Sequence, residues 1–248
     1  MPLKPIQAAL AAFALLGAAL PAAAAVTTFD HGTSGWRGAQ GSGGGGTFID
    51  TDLGNDAPAL HTVFTDFGIT FSNQRRAFTG DFTASPSLQI GIDVNTLSLT
   101  YGGQQVTRDL IVEFRDHDNA PDGMPYTSVW ARIGTLDAST PGWTTFSITI
   151  ADTSSTTLPS GWGGYGAENP VTFEPELPAG RTFANVLAGV DELAFGTLVP
   201  GFFYGFTDFN VAVDNITLSP VPEPAAVWLL IGGFGALALA RRRAGSRG

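Results

Sequence analysis

Hydrophobic and polar residues alternate with a period of two through most of the chain between positions 26 and 218. The alternation is clearest at 88–94 and 145–150, and this period places successive side chains on opposite faces of a β-strand. Runs of the same type occur at 97–101, 107–114, 128–133, 192–198 and 209–218, with weaker ones at 47–49 and 60–71. About ten short strands separated by Gly, Pro and Asp turns predict an antiparallel β-sandwich, and only 183–190 favours a helical turn.

The composition agrees with a turn-rich β fold that has an aromatic core. The 248 residues include 32 Gly, 16 Pro and 18 Phe, and only 14% of them are charged. The chain contains no cysteine, which excludes disulfides, thiol catalysis and cysteine-ligated metals. Residues 26–220 carry 21 acidic residues against seven arginines, a net charge of −14. Because a nucleic-acid surface needs clustered positive charge, we expect no nucleic-acid partner.

The N terminus has the pattern of a targeting segment. Lys4 precedes an apolar stretch at 8–20, and Ala23 and Ala25 fit the small-x-small rule for a cleavage site. We therefore predict a helical signal peptide at 1–25. An uncleaved anchor helix is the alternative, but the stretch is short and is followed by proline and small residues.

The C terminus carries a second apolar segment at 225–240, followed by Arg241, Arg242 and Arg243. A helix of this length spans about 24 Å, which makes it a marginal transmembrane helix. By the positive-inside rule the arginines stay in the cytoplasm, so residues 26–220 lie outside it. The two ends therefore predict the same topology.

A three-residue motif, Pro222, Glu223 and Pro224, precedes this helix and its arginine cluster. The combination resembles the PEP-CTERM sorting signal, which exosortase, a membrane-embedded cysteine protease-transpeptidase, recognises in bacteria that make exopolysaccharide. The resemblance covers 219–243, with the motif at 222–224, and leaves 244–248 as a cytoplasmic tail. It implies exosortase as a partner, a transient stay in the inner membrane, and then the cell surface or extracellular matrix. An ordinary proline-rich linker before an ordinary anchor is the alternative.

The segment between the two ends carries a second, more degenerate pattern. FANVLAGVDEL at 183–193 and DNITL at 214–218 are its most specific parts, together with FIDTD at 48–52 and FTGD at 78–81. They resemble the laminin B (domain IV) module, a jelly-roll sandwich related in shape to galactose-binding-like and carbohydrate-binding modules. The resemblance implies one all-β domain over 26–218 that is a binding or structural module, since the family has no established catalytic residues.

Three acidic clusters supply oxygen ligands of the kind that calcium prefers. They are Asp116 with Asp118 and Asp122 in one turn, Asp50 with Asp52 in another, and Asp30 with Asp214, where the first and last strands of jelly-roll modules meet. A structural Ca²⁺ is the one cofactor these residues suggest. The spacing in the first turn departs from the EF-hand loop, and solvated Asx turns on a solubilising acidic surface are the alternative.

The sequence has no clear catalytic signature, and we predict that the protein is not an enzyme. His31, His61 and His117 stand in no metal-ligand spacing, so we expect surface or turn positions for them. No G-x-S-x-G nucleophile motif occurs. A carboxylate pair could hydrolyse a glycoside, and the pairs considered are Glu113 with Asp116 and Glu174 with Glu176.

Aromatic residues are the other candidates for ligand contact. Trp162 and Tyr165 lie in the glycine-rich stretch SGWGGYG, which we predict to be a loop that presents both rings to a ligand. Hydrophobic capping of the sandwich is the alternative. Trp130 and Trp143 stand in alternating segments, and we predict that both pack in the core.

These features together predict an exported, exosortase-processed component of the exopolysaccharide matrix that binds glycans or has a structural role. Two alternatives stay open. One is a glycan-active hydrolase or lyase on the same sandwich, and the other is a passive coat protein without a specific ligand.

Overall fold

The computed structural model describes residues 24–41 and 45–221. Most of the predicted signal peptide lies outside these ranges, as do the Pro222 to Pro224 motif, the predicted transmembrane helix, the arginine cluster and the tail. Within the described ranges, no helix is long and apolar enough to cross a membrane.

The described residues form fourteen β-strands and one brief α-helix. The strands are β1 (Ala25–Thr27), β2 (Gly46–Asp50), β3 (Ala59–Asp66), β4 (Thr70–Asn73), β5 (Leu88–Tyr101), β6 (Gln104–Gln105), β7 (Thr107–Asp116), β8 (Thr127–Asp137), β9 (Trp143–Ile150), β10 (Trp162–Tyr165), β11 (Ala167–Glu168), β12 (Pro175–Glu176), β13 (Glu192–Gly196) and β14 (Thr207–Pro220). The helix α1 spans Phe183–Leu187, and a 3₁₀ turn spans Phe82–Ala84.

The strands form two large antiparallel sheets. The seven-stranded sheet has the order β2-β3-β14-β5-β6, with β1 beside β14 and β9 beside β5. The five-stranded sheet has the order β10-β8-β7-β13-β4, and β11 and β12 form a separate hairpin. The all-β, antiparallel prediction is therefore confirmed.

The sheets face each other across one hydrophobic core. Ile92 and Val211 of the seven-stranded sheet belong to the same buried cluster as Val112 and Phe195 of the five-stranded sheet. Full burial of each such side chain contributes about 1.5–3 kcal/mol. The helix α1 adds Phe183, which is completely buried.

Several predicted boundaries needed correction. The runs at 88–94 and 97–101 form the single strand β5, because a bulge absorbs the break in alternation near Thr96. The weak run at 60–71 is two strands on different sheets, β3 and β4. The stretch SGWGGYG is also not a loop, since its central residues pair with β8 as strand β10.

The long strand β14 defines the two ends of the sandwich. It starts at Thr207, paired with Asp66, and ends at Pro220, paired with Leu88. With about 3.3 Å per residue it is roughly 40 Å long. Because β1 pairs with residues 216–218, both outer segments of the described chain lie near Pro220. We call this the terminal end, and the end at Thr207 the distal end.

Candidate functional site

The outer face of the five-stranded sheet carries a group of polar and aromatic side chains. Val129 and Ala131 of β8 are buried in the core, so the alternation turns Ser128 and Trp130 outward. The same rule places Glu113 and Arg115 of β7 on this outer face, next to Glu192 of β13. The strand pairing thus assembles groups that are far apart in sequence.

Arg115 is the centre of this face. Its guanidinium group binds Glu113, with Nη2 to Oε2 at 2.6 Å, and Glu192, with Nη1 to Oε1 at 2.5 Å. Both carboxylates are buried, and each has another donor: Ser128 Oγ donates to Glu113 and Gln74 Nε2 to Glu192. Burial opposes the charge of Arg115, but the carboxylates outweigh it, so the pKa of Arg115 lies above its ordinary value. One guanidinium group therefore joins the two buried carboxylates in a single network.

Aromatic rings border the network. The Arg115 guanidinium carbon lies 4.7 Å from the centre of the Tyr126 ring, and Tyr126 lies 5.2 Å from Tyr165, centre to centre. Burial and the nearby charge of Glu113 raise the pKa of Tyr126, which keeps its hydroxyl group protonated. Trp130 packs against Gly163, where an added Cβ would lie 2.4 Å from the indole Cε2. The missing side chain at Gly163 therefore leaves the space that the Trp130 indole occupies.

A groove extends the face toward β4. Its volume is about 410 Å³, and its lining includes Arg37, Thr70, Ser72 and Arg115. Arg37 pairs with Ser72 through both backbone groups, and its Nη2 donates to Gln74 Oε1 at 3.0 Å. A continuous set of hydrogen-bonding groups therefore runs from Glu113 to Arg37.

The structure separates the two aromatic residues that we predicted as joint ligand contacts. Trp162 turns inward, with its ring centre 5.0 Å from that of Phe183 and 6.1 Å from that of Phe114. Tyr165, three positions later, lies on the outer face beside Ser128. Of this pair only Tyr165 belongs to the outer-face group.

The core predictions for Trp130 and Trp143 were wrong. Trp130 shares its face with Ser128, and Trp143 pairs with Asn95 on the outer face of the seven-stranded sheet. Each ring is only partly buried. The polar residues at every second position along β8 were the signal that could have identified the outward direction of Trp130.

The turn after β7 does not gather its three predicted calcium ligands. Asp116 is fully buried and forms an ion pair with Arg181, while Asp118 and Asp122 are exposed. The backbone N–H of Asn119 donates to Asp116 Oδ1 at 3.0 Å, as in the Asx turn considered as the alternative. Because Asp116 is turned inward, the proposed catalytic pair with Glu113 does not form either.

The second acidic cluster is organised around a histidine. Asp50 Oδ2 lies 2.9 Å from His61 Nδ1, and Asp50 Oδ1 accepts the backbone N–H groups of Asp52 and Leu53. These bonds, with that of Asp52 the strongest, lower the pKa of Asp50. The surface position predicted for His61 was wrong, since it is buried and its Nε2 also contacts Asn210 Oδ1 at 2.6 Å. Asp52 itself is exposed.

The third cluster consists of the predicted Asp214 and a carboxylate that the sequence did not indicate, Asp93. Asp214 is fully buried in a bulge of β14 and accepts the backbone N–H groups of Asn55 and Asn215. Burial, helped by the charges of Asp93 and Asp30, raises its pKa to about 6. The missed residue, Asp93, accepts from both Asn55 and Asn215. Asp93 lies opposite Asp214 because of the register between β5 and β14, and the sequence alone does not give that register.

These carboxylates do not form a complete metal centre. Among residues 24–41 and 45–221, no group of three or more His, Cys, Asp or Glu side chains is arranged to hold a metal ion. Asp30 is exposed and accepts from Thr28 Oγ1 at 2.5 Å. Calcium at Asp214 therefore stays a prediction.

The remaining acidic and histidine candidates lie apart from the outer-face group. Glu174 is exposed, while Glu176 accepts a hydrogen bond from Asn169 within the β11–β12 hairpin. His31 and His117 are exposed, as predicted. None of these residues adds a functional group to the Arg115 network.

No protein-family model and no curated protein matches the chain. Among solved structures it is similar to an exo-beta-agarase, with a TM-score of 0.46 and 13% identity over 79% of this chain and 25% of that one. It is also similar to a family 11 carbohydrate-binding module from Clostridium thermocellum in complex with a beta-1,3-1,4-mixed-linked tetrasaccharide. There the TM-score is 0.45, with 17% identity over 80% of this chain and 97% of that one. Both TM-scores are below 0.5.

Proposed function

We propose that this domain binds a glycan on the outer face of its five-stranded sheet. The observation that carries the proposal is the Arg115 network with its bordering rings. Polar side chains on an ordinary solvated sheet face form hydrogen bonds mainly with water. Here one guanidinium group instead binds two buried carboxylates. Convergent, rigid polar groups beside apolar surface are typical of a ligand site.

The chemistry of a sugar matches the accessible rings and donors beside this network. A pyranose ring has hydroxyl groups that donate and accept hydrogen bonds around its rim, and an apolar face that packs on an aromatic ring. Tyr165 and Trp130 supply partly exposed rings, and the groove beside Arg37 supplies further donors. Because the network is already fixed, little side-chain entropy is lost on binding.

We further propose that the site does not catalyse glycoside hydrolysis. That reaction needs one carboxyl group as proton donor and a second as nucleophile or base. Glu113 and Glu192 are both engaged by the same guanidinium group, at 2.6 Å and 2.5 Å. Neither is free to protonate a leaving group, so a hydrolase or lyase is the less favoured function.

Export and sorting complete the proposal. We infer a jelly-roll, laminin B-like domain that a signal peptide exports, that the PEP-CTERM tail holds in the inner membrane, and that exosortase releases to the cell surface or polysaccharide matrix. The sequence signals at 1–25 and 219–243 support this route. The position of both outer segments at the terminal end is compatible with it.

Polysaccharide pull-down with the excised domain, residues 26–220, tests the binding proposal. This fragment contains every strand of both sheets except Ala25 of β1. We expect retention by at least one matrix polysaccharide, and at least tenfold weaker binding for Trp130→Ala and Tyr165→Ala. Trp143→Ala is the matched control because Trp143 lies on the outer face of the other sheet.

Three other outcomes would contradict the proposal. Equal loss of binding in the Trp143→Ala control would place the site elsewhere. Release of reducing ends from the polysaccharide would favour an enzyme, and absence of both binding and release would favour a passive coat protein.

The sorting route is tested separately, by fractionation of cells with and without exosortase. An epitope inserted in the glycine-rich stretch at residues 42–44 identifies the protein. The tail-less form should appear only in cells with exosortase. Its unchanged appearance in the mutant would exclude this route and leave the glycan experiment unaffected.

A further inference from the structure

The distal end of the sandwich exposes a cluster of large apolar side chains. Phe203 is 99% exposed, Phe202 is 67% exposed and Phe206 is 56% exposed. The cluster, which we call the aromatic tip, consists of Phe67, Tyr101, Leu198, Phe202, Phe203 and Phe206. Soluble monomers rarely present an apolar patch this large, so the aromatic tip indicates an interaction surface.

Contacts within the distal end hold the aromatic tip together. The ring centres of Phe67 and Phe206 are 4.2 Å apart, and Phe202 stacks on Tyr204 at 6.5 Å with an interplanar angle of 19°. The Arg108 guanidinium carbon lies 4.8 Å from the centre of the Tyr204 ring. A neighbouring ring therefore supports each of Phe67, Phe202 and Phe206.

We propose that a second copy of this chain docks on the aromatic tip to form a two-fold symmetric dimer. Weighted by their exposed fractions, the six side chains present about 700 Å², given roughly 200 Å² for a large apolar side chain. A standard protein interface buries about 800 Å² on each partner. The patch thus has nearly the area that a stable dimer needs, and in a two-fold interface the same patch serves both subunits.

Two other occupants fit the aromatic tip less well. On the topology proposed above, on which this step rests, the terminal end faces the membrane and the aromatic tip lies about 40 Å away from it. The charge of −14 on residues 26–220 also disfavours an anionic lipid surface. A sugar needs polar groups to orient it, and the phenyl rings of Phe202, Phe203 and Phe206 have none.

A dimer through the aromatic tips has a defined geometry. We propose that the strand directions of the two copies are aligned, which places the two terminal ends about 80 Å apart for two domains of about 40 Å each. Two copies anchored side by side in one membrane cannot meet in this way. The dimer would therefore join two facing surfaces or two layers of matrix.

Sedimentation and small-angle scattering of residues 26–220 over a concentration series test this proposal. We expect a monomer–dimer equilibrium whose dimer is elongated along the strand direction. Phe202→Ser/Phe203→Ser should raise the dissociation constant at least tenfold, because exposed aromatic residues at the centre of an interface carry most of its affinity. Phe48→Ser is the matched control, since Phe48 is 47% exposed on the outer face of the seven-stranded sheet.

A domain that stays monomeric at all concentrations would overturn the proposal, as would a dimer unaffected by the double substitution or one with a compact, side-by-side shape. Binding to vesicles of phosphatidylglycerol, lost in the double variant, would assign the tip to lipid instead. Polysaccharide binding by the double variant should equal that of the parent, so failure of the dimer and failure of the glycan site give different results.

Discussion

Replacement of Arg115 by methionine is the sharpest test of the outer-face network. Methionine keeps much of the apolar length of the arginine side chain but removes its charge and all five of its donors. Glu113 is only 3% exposed and Glu192 only 8% exposed, so the substitution leaves two buried carboxylates close to each other without their common cation. Ser128 and Gln74 remain as donors, one to each carboxylate.

The expected loss follows from this arrangement. Removal of one member of a buried ion pair costs about 3–5 kcal/mol, because the other charge stays buried without compensation. A surface salt bridge contributes at most about 1 kcal/mol. The side chain of Arg115 is only 16% exposed, so its network is a buried ion pair and not a surface salt bridge. We therefore expect Arg115→Met to lower the free energy of unfolding by about 3–5 kcal/mol.

Urea unfolding at pH 7, followed by tryptophan fluorescence, measures this loss. The triple variant Glu113→Gln/Arg115→Met/Glu192→Gln should recover most of it, since it removes the buried charges together with their partner. A loss below about 1 kcal/mol in Arg115→Met would show that the network is solvated and that the binding site is not preformed. Equal losses in the single and triple variants would show that packing, rather than charge, is responsible.

Three further substitutions test neighbouring parts of the structure. Gly163→Ala should lower the stability by about 1–3 kcal/mol and shift the Trp130 fluorescence, because the new Cβ collides with the indole, whereas Gly46→Ala, whose nearest neighbour is 3.5 Å away, should be neutral. Thr182→Ala should cost about 1 kcal/mol in urea unfolding through loss of the capping box of α1, and Thr182→Ser should retain that stability. A structural calcium ion at Asp214 would stabilise the domain by about 2.7 kcal/mol relative to EDTA at 100 times its dissociation constant, and Asp214→Asn would abolish that difference while Asp52→Asn retains it. Identical melting temperatures in EDTA and in calcium would end the calcium prediction.

The period-two pattern predicted most of the sheet architecture because it reflects local geometry. Strands β5, β7, β9 and β14 all fall on predicted runs. Alternation assigns residues to two faces but does not say which face is inside. At β8 the large Trp130 was therefore assigned to the core, although the small Val129 and Ala131 fill it.

The outer-face group was harder to predict because it depends on pairing between distant strands. Glu113 and Arg115 are two positions apart on β7, so their shared face follows from the sequence alone. Glu192 joins them only through the register of β13 against β7, and Tyr126 only through the turn before β8. Neither register nor turn conformation is encoded in a short sequence pattern.

The pairing of β1 with β14 bears on the proposed sorting route. Cleavage after Ala25 would remove one residue of β1 and leave Val26 and Thr27 opposite Thr217 and Ile216. At the other end, the backbone N–H of Val221 donates to Ser87 O at 3.2 Å, so the last strand is complete before the sorting motif starts. Processing at either end therefore leaves β14 whole and its pairing with Val26 and Thr27 in place. A domain closed in this way can stay folded while the segments on both sides are removed, which is what export and release by separate proteases require.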